Sequence, residues 1–293
     1  MKFRAHDTFS IRKGWLHKGM RHIINNPRVF VDKNINSMDE FGLGANMVKA
    51  LRYWLQATGL TIEATNNSNR SQQLSPFGRI VWENDSYLEE DGTLFLIHYF
   101  LSTNKDLATA WYYFFNEYNM IEISPESFIN GIRTFLLKNN DFQVSERALK
   151  DDFDCIIKTY LDTEKNNTPE NNMSCPLSEL GLISSSDIKN KIYVKTTPNL
   201  SSINPLIILA IIINENAKSD GTNEIKISKL ESDPCNIGKV FNLDTFAVAS
   251  YLDKLQNFGY IKINRTAGLD LIYINTQWSF LECIEEYYRN IND

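Results

Sequence analysis

One amphipathic helix, predicted over residues 45–58, most constrains the fold of this chain. Its apolar residues recur at the spacing of a helix that buries one face, and they are Met47, Ala50, Leu51, Trp54, Leu55 and Thr58. Gly59 follows, at the position where many helices end in a left-handed residue. A helix with this stripe must pack on partners, and the flanking sequence predicts them.

The flanking sequence predicts a winged helix-turn-helix around this helix. The predicted elements are, in order, a helix over 10–25 ended by Pro27, an extended piece at 29–31, a short helix at 37–41, a turn at 42–44 and, after Gly59, strands at 60–64 and 72–74 around a turn at 66–69. Helix, glycine-bearing turn, helix and two-stranded ribbon in this order are typical of that fold. Ser75 and Asp91 are predicted to cap two further helices.

The C-terminal part repeats this order. Its predicted elements are a helix over 205–216 capped by Asn204, a turn at 220–221, a strand at 224–227, a short helix at 236–241, a helix over 245–258 capped by Asp244 and ended by Gly259, strands at 260–264 and 269–274 around a turn at 267–268, and a last helix over 278–290. The region between is predicted to be helical, with a polar linker at 163–173. We therefore predict a mostly α (α+β) fold with three domains: an N-terminal winged helix at 1–103, a helical linker region at 104–173 and a C-terminal winged-helix-like domain at 174–293.

The charge of the chain is divided unevenly along its length. Residues 1–80 carry twelve lysines and arginines against five acids, a net of +7, whereas residues 81–293 carry eighteen against thirty-one, a net of −13. A cationic segment on an acidic body suits a chain that docks on nucleic acid through one face, because only that face must be positive. The alternative is an ordinary sorting of charge into the faces of a soluble protein.

Composition excludes several other classes. The longest apolar run, residues 206–213, is far shorter than the roughly 20 residues of a membrane span, and the first residues lack the apolar core of a signal peptide. Cys155, Cys175, Cys235 and Cys283 lie far apart without a Cys-x-x-Cys pair, which argues against zinc knuckles and a disulfide framework. We therefore expect a soluble, cytoplasmic protein with reduced thiols and no membrane partner.

The polar face of the 45–58 helix is the strongest candidate site. It carries hydrogen-bond donors and no acid, although exposed helices normally mix both signs: Asn46, Lys49, Arg52, Tyr53 and Gln56. Asn, Gln and Arg pair bidentately with adenine and guanine in the major groove, so the 1–103 domain is predicted to bind DNA. Phosphate contacts are predicted for Arg4, Arg12, Lys13, Lys18 and Arg21. An ordinary solvated helix face is the alternative interpretation.

The residues themselves do not identify a catalytic centre. His6 beside Asp7 has the form of a general base with its acid, but neighbours in sequence rarely face each other. Glu224-Ile225-Lys226 has the Glu-x-Lys form of nuclease metal sites, but Asp220 lies too close in sequence for the usual arrangement, so we predict no metal site. The acids near residue 150 are expected to be solvated or to cap helices: Asp151, Asp152 and Asp154. P-loop, Gly-x-Ser-x-Gly and His-Glu-x-x-His motifs are absent.

Several motifs together resemble a known bacterial family. They are His6-Asp7-Thr8-Phe9, Arg12-Lys13-Gly14-Trp15-Leu16-His17-Lys18-Gly19, residues 41–55, Leu74-Ser75-Pro76-Phe77-Gly78, and Asp91-Gly92-Thr93-Leu94 with His98-Tyr99. The chain is similar to a family of uncharacterised domains found beside genes for DNA phosphorothioation, and to the SspB-type component of the Ssp anti-phage system. The resemblance is specific over residues 1–100, and beyond them it rests on order and spacing.

The resemblance implies a role in antiviral defence. The implied partners are double-stranded DNA and the proteins of a sulfur-modification system, namely a cysteine desulfurase, an ATPase and a sulfur-transfer enzyme. It also implies nicking of one DNA strand with Mg²⁺ or Mn²⁺, as a nickase, but it assigns no catalytic residue. Two other hypotheses stay open: a winged-helix transcriptional regulator without catalytic activity, and an adaptor that does not contact DNA.

Overall fold

The computed structural model describes residues 1–66, 69–139, 144–161, 174–219, 222–266 and 270–292. Helices predominate in it, together with small antiparallel sheets, so the predicted α+β class is confirmed. The predicted linker at 163–173, the turns at 220–221 and 267–268, and the middle of the turn at 66–69 lie outside the described residues. None of the described helices is long and apolar enough to cross a membrane.

The N-terminal hundred residues fold as three helices, a hairpin and two further helices. Their bounds are α1 Trp15–Asn25, α2 Ser37–Phe41, α3 Ala45–Ala57, β1 Thr61–Asn66, β2 Asn69–Leu74, α4 Pro76–Asn84 and α5 Asp91–Thr103. β1 and β2 pair antiparallel, with Thr61 opposite Leu74. α1 packs closely on α3 at Gly19, where a Cβ atom would lie 2.6 Å from Leu55 Cδ1, so a larger residue would clash with the Leu55 side chain.

A short three-stranded sheet joins the middle of the chain to its C-terminal part. The middle elements are α6 Thr109–Tyr112, a π-helical turn Tyr113–Glu117, β3 Glu122–Ile123, α7 Pro125–Lys138, α8 Glu146–Tyr160, a 3₁₀ turn Pro176–Leu180, β4 Ile183–Asp187 and β5 Ile192–Lys195. The strand order is β3-β5-β4, and both pairs are antiparallel. The sequence did not predict these strands, because segments of two to five residues carry little periodic signal.

The C-terminal elements follow the predicted order, with the addition of a helix at 227–232 that the sequence did not predict. They are α9 Pro205–Lys218, β6 Glu224–Lys226, α10 Ile227–Ser232, α11 Ile237–Val240, α12 Thr245–Asn257, β7 Ile261–Asn264, β8 Leu271–Ile274 and α13 Phe280–Asn292. β6, β7 and β8 form an antiparallel sheet in the order β6-β8-β7. α13 packs against α9 and also against α4 of the N-terminal part.

Side-chain caps begin three of the helices where the sequence predicts them. Ser75 Oγ accepts from Gly78 N–H at 2.8 Å, Asn204 Oδ1 from Leu206 N–H at 2.9 Å, and Asp244 Oδ1 from Ala247 N–H at 2.7 Å. Each cap satisfies an amide that has no partner within its helix. Gly59 and Gly259 follow α3 and α12 with φ angles of 74° and 80°, which confirms the predicted left-handed ends.

Three local predictions are wrong. Residues 10–14 are not helical, because Gly14 has a left-handed φ of 80° and α1 begins only after it. Residues 29–31 lie in turns, not in an extended piece, and Val31 N–H bonds to the Arg28 carbonyl at 2.9 Å. Asp91 is the first residue of α5, and its N-cap is Glu90, so Asp91 acts through its charge near the helix N-terminus.

One hydrophobic core runs through the three predicted domains, whose boundaries stay a prediction. His98 of α5 stands at a junction within it. Its Nε2–H donates to the Val240 carbonyl of α11 at 2.7 Å, and its Nδ1 accepts from the Tyr160 hydroxyl of α8 at 2.7 Å. Burial lowers the pKa of His98 to about 4, so the ring joins the three helices in its neutral form.

We predict that His98 makes the fold less stable in acid. Its pKa is 6.5 when exposed and about 4 in the fold, so between these values the unfolded chain binds a proton that the folded chain does not. The free energy of unfolding should therefore lose up to about 3 kcal/mol as the pH falls from 6.5 to 4. Urea unfolding of the wild type and of His98→Gln across this range checks it. The difference in the free energy of unfolding between the wild type and His98→Gln should decrease as the pH falls. A difference that stays constant would contradict the prediction.

Candidate nucleic-acid interface

α3 buries one face and exposes another, as its apolar stripe predicts. The buried residues are Val48, Ala50, Leu51, Trp54, Leu55 and Ala57. Asn46 and Lys49 are exposed in its first half. Neither side chain has a hydrogen bond or an ion pair within the described ranges, so both are available to a ligand.

The hairpin brings an acid to the second half of this face. Oε1 of Glu63, in β1, accepts from Arg52 Nε at 2.8 Å and from Arg52 Nη2 at 2.5 Å. The same oxygen accepts from Gln56 Nε2 at 3.1 Å. No acid on α3 itself lies on this face, but in the folded protein Glu63 of the hairpin adds one to it. A ligand of Arg52 or Gln56 must compete with Glu63.

Tyr53 contributes to the packing of α3. Its ring centroid lies 4.9 Å from that of Trp54 and 6.3 Å from that of His6. Burial, and then the charge of Asp152, raises the pKa of the Tyr53 hydroxyl well above its ordinary value. Tyr53 is therefore a neutral group, and its contact with DNA stays a prediction.

Two of the five predicted phosphate-binding cations are fully available. Lys13 and Arg21 are exposed, and neither has an ion pair among the residues described. Arg12 is partly buried, with its guanidinium 5.5 Å from the ring centroid of Trp15. This arrangement leaves its hydrogen-bond donors free.

The other two predicted cations have partners within the protein. Lys18 Nζ donates to the Phe41 carbonyl at 2.9 Å and so fastens α1 to α2. Arg4 Nε lies 2.6 Å from Asp151 Oδ2. Since both charges remain partly exposed, their contact with phosphate stays a prediction.

His6 and Asp152 form a buried polar pair next to α3. His6 is 0% and Asp152 1% exposed. His6 Nδ1 accepts from Thr8 N–H at 3.1 Å, so Nε2 carries the proton that is donated to Asp152 Oδ1 at 2.6 Å. The Arg4 N–H bonds to both Asp152 oxygens, at 2.9 and 3.1 Å. Burial raises the pKa of Asp152, and the hydrogen bond from His6 opposes this shift.

This pair corrects one expectation. Asp152 is buried, whereas the sequence predicted that it would be solvated or cap a helix. His6 bonds to Asp152 and not to Asp7, in line with the expectation that sequence neighbours rarely face each other, and the pair is closed to solvent, unlike a general base that must reach a substrate. A local signal existed, because Leu149, Asp152 and Ile156 share one face of α8 at helical spacing. No local pattern indicates its partner His6, which lies 146 residues away in the sequence.

The described residues bring together no ready metal site. No three His, Cys, Asp or Glu side chains converge among them. Glu224 and Lys226 are exposed on either side of the buried Ile225, so they share the outer face of β6. Asp220 lies outside the described residues.

Comparison with known proteins gives two findings. A protein-family model described as "Protein of unknown function (DUF4007)" matches residues 3–288. Two solved structures, "Magnesium ion-bound SspB crystal structure" and "SspB crystal structure", are each similar with a TM-score of 0.85 and 25% identity, over 100% of this chain and 89% of that chain. A search of curated protein sequences finds no match.

We predict that Asp152→Ala lowers the free energy of unfolding by about 2–4 kcal/mol. His6 Nε2–H and Arg4 N–H would lose their acceptor, and Nε2–H would do so in a buried site. Chemical denaturation followed by circular dichroism at neutral pH measures the change. Asp154→Ala, two residues along α8 and only partly buried, is the matched control and should stay within about 0.5 kcal/mol of the wild type. Equal losses in both variants would contradict the prediction.

Proposed function

The chain belongs to the DUF4007 family, and we propose that it is a DNA-binding component of a bacterial DNA phosphorothioation system that acts against phage. The likeness to SspB over the whole chain supports a place in the Ssp defence system, as the motifs of residues 1–100 predict. Its proposed partners are double-stranded DNA and the other proteins of that system, a cysteine desulfurase, an ATPase and a sulfur-transfer enzyme.

The order of elements supports a winged helix in each half of the chain. In the first half, α1, α2 and α3 precede the β1–β2 hairpin. In the second half, α9, β6, α10, α11 and α12 precede β7 and β8, and the sheet order is β6-β8-β7. In such domains the last helix before the hairpin enters the major groove, which makes α3 the proposed recognition helix.

The exposed donors of α3 carry this proposal. Asn46 and Lys49 are free to meet a base edge and a phosphate. Arg52 and Gln56 lie further along the helix, and Glu63 holds them in place. Lys13 and Arg21 are the proposed phosphate contacts beside them, since exposed cations without partners neutralise a backbone most readily. Arg4, Arg12, Lys18 and Tyr53 are proposed as secondary contacts.

Strand nicking is not assigned to any residue. One of the similar SspB structures is described as magnesium ion-bound. Magnesium usually keeps several waters and binds one or two carboxylates, and among the described residues no three His, Cys, Asp or Glu side chains converge. The structure therefore assigns no residue to metal binding or to cleavage.

We predict that the double variant Lys49→Ala, Arg21→Ala binds duplex DNA more weakly regardless of sequence. Each lost phosphate contact should reduce the slope of log affinity against log salt by about one. Fluorescence anisotropy with a labelled duplex over a series of salt concentrations measures both effects. Lys158→Ala, an exposed lysine of α8, is the control. Equal affinities for all three proteins would overturn α3 as the interface and favour the adaptor hypothesis.

The same samples separate a nickase from a regulator. Supercoiled plasmid is added with Mg²⁺, with Mn²⁺ or with a chelator. Metal-dependent open circles would establish nicking and start a search for its residues. Binding without open circles, even with the partner proteins added, would favour the transcriptional regulator.

We predict that Glu63→Gln strengthens duplex binding several-fold. The substitution removes a negative charge from the α3 face and weakens the hold on Arg52. Glu146→Gln is the matched control, because Glu146 of α8 also pairs with an arginine, Arg133 of α7 at 2.8 Å, and neither residue lies on α3 or its hairpin. Titrations at one salt concentration compare the three proteins. Weaker binding by Glu63→Gln would mean that the ion pair is needed to position Arg52 for DNA.

A further inference from the structure

Three aromatic rings form a stack that ends at the surface. Trp82 of α4 packs partly against the hydrophobic core. His17 of α1 lies on it with a centroid distance of 5.3 Å and an interplanar angle of 22°. Tyr87 lies on His17 at 4.2 Å and 11°. Tyr87 is 66% exposed, so the ring face away from His17 is open to solvent.

The loop that carries Tyr87 is held rigidly. Asp85 is buried, and its two carboxylate oxygens accept from the amides of Glu89 at 2.9 Å and Glu90 at 3.1 Å. Leu88 is buried with a left-handed φ of 60°, a conformation that a leucine adopts only where its surroundings impose it. The loop therefore keeps Tyr87 outside while anchoring the residues on either side of it.

His17 ties the stack to the same loop. Its Nδ1–H donates to the Ser86 carbonyl at 2.9 Å. This bond fixes the plane of the imidazole ring, and the imidazole ring fixes the plane of Tyr87. Packing against the core explains the positions of Trp82 and His17, but it does not explain an open tyrosine ring on a rigid loop.

The charges around the stack favour an anionic chain with exposed rings. Arg21 follows His17 by one helical turn, and Arg79 precedes Trp82 by one turn; both are exposed, without ion pairs in the ranges described. Exposed acids also lie near, namely Glu83, Glu89, Glu90 and Asp91. These acids repel a duplex, with its dense phosphates, more strongly than they repel one extended strand. A single strand can direct its phosphates toward the two arginines.

We propose that the open face of Tyr87 stacks an unpaired base of single-stranded DNA, with Arg21 and Arg79 contacting the flanking phosphates. A tyrosine ring with a cation nearby is the arrangement by which proteins hold unpaired bases without reading their sequence. The inference rests on the proposed function and adds to it a second ligand form, a strand opened beside the duplex.

Fluorescence anisotropy with a labelled thymidine strand of about 20 nucleotides and a duplex of the same length tests this. Tyr87→Ala should weaken strand binding by about 5- to 100-fold, the range for one lost stacking contact, and leave duplex binding unchanged. Tyr87→Phe keeps the ring and should bind both as the wild type does. Phe258→Ala is the matched control, because Phe258 is 64% exposed at the end of α12, and it should change neither affinity.

Photocrosslinking adds a direct readout. A strand with one thymine replaced by 5-iodouracil is irradiated with the protein, and mass spectrometry locates the cross-link. The expected product lies on the peptide that contains Tyr87 and is lost in Tyr87→Ala.

Comparing the single strand with the duplex distinguishes a failure of the stacking site from a failure of the proposed function. Unchanged strand binding in Tyr87→Ala, with duplex binding intact, would overturn the stacking site and leave the proposed function standing. An equal loss on strand and duplex would also overturn it, because the variant would then act through the fold. If the wild type binds neither nucleic acid, the proposed function fails and the stacking site fails with it.

Discussion

The buried pair of His6 and Asp152 determines where α3 lies. A carboxylate without water needs donors, and Asp152 finds them in the first residues of the chain. The imidazole that donates to it also stacks on Trp54 of α3, at 5.8 Å and 16° between planes. A shift of α8 or of the N-terminal segment would leave the buried carboxylate of Asp152 without its hydrogen-bond donors. The inner face of α3 is therefore fixed, and its outer donors are presented in one orientation.

Local sequence patterns predicted most helices and strands. Contacts between residues far apart in the sequence could not be predicted. Ser75 and Asp244 cap their helices as predicted because a cap and its amides lie within four residues. The bond between His6 and Asp152 spans 146 residues, so no local pattern encodes it. For the same reason the exposure of Lys49 was predictable from its helix, while the capture of Arg52 by Glu63 of the hairpin was not. The exposed face of α3 was thus predictable from its spacing, its pairing with an acid was not, and its role as a DNA site stays a prediction.

The last helix joins the acidic body to the cationic segment. Gly92 N–H at the start of α5 donates to the Tyr287 hydroxyl of α13 at 3.2 Å, and a Cβ at Gly92 would lie 2.4 Å from Tyr287 Cζ. Thr93 bonds to the Tyr288 hydroxyl at 2.6 Å. These contacts lie within residues 81–293 and link positions 195 apart. α13 also packs against α4, which begins within the cationic segment, and so joins the two charge regions. Under the proposed function, the acidic body would repel DNA from its own surface and leave the cationic segment as the favourable approach.

Under the proposed function, Glu63 turns Arg52 from a source of affinity into a source of selectivity. An ion pair near the surface is worth about 0.2–1 kcal/mol, whereas a bidentate contact of arginine with guanine discriminates by about 1–3 kcal/mol. A single phosphate offers Arg52 little more than Glu63 already does, so random duplex gains little by displacing the carboxylate. A guanine edge in the right position gains enough to displace it. Lys13, Arg21 and Lys49 would then hold any duplex, and Arg52 would engage only where the base edge matches its guanidinium.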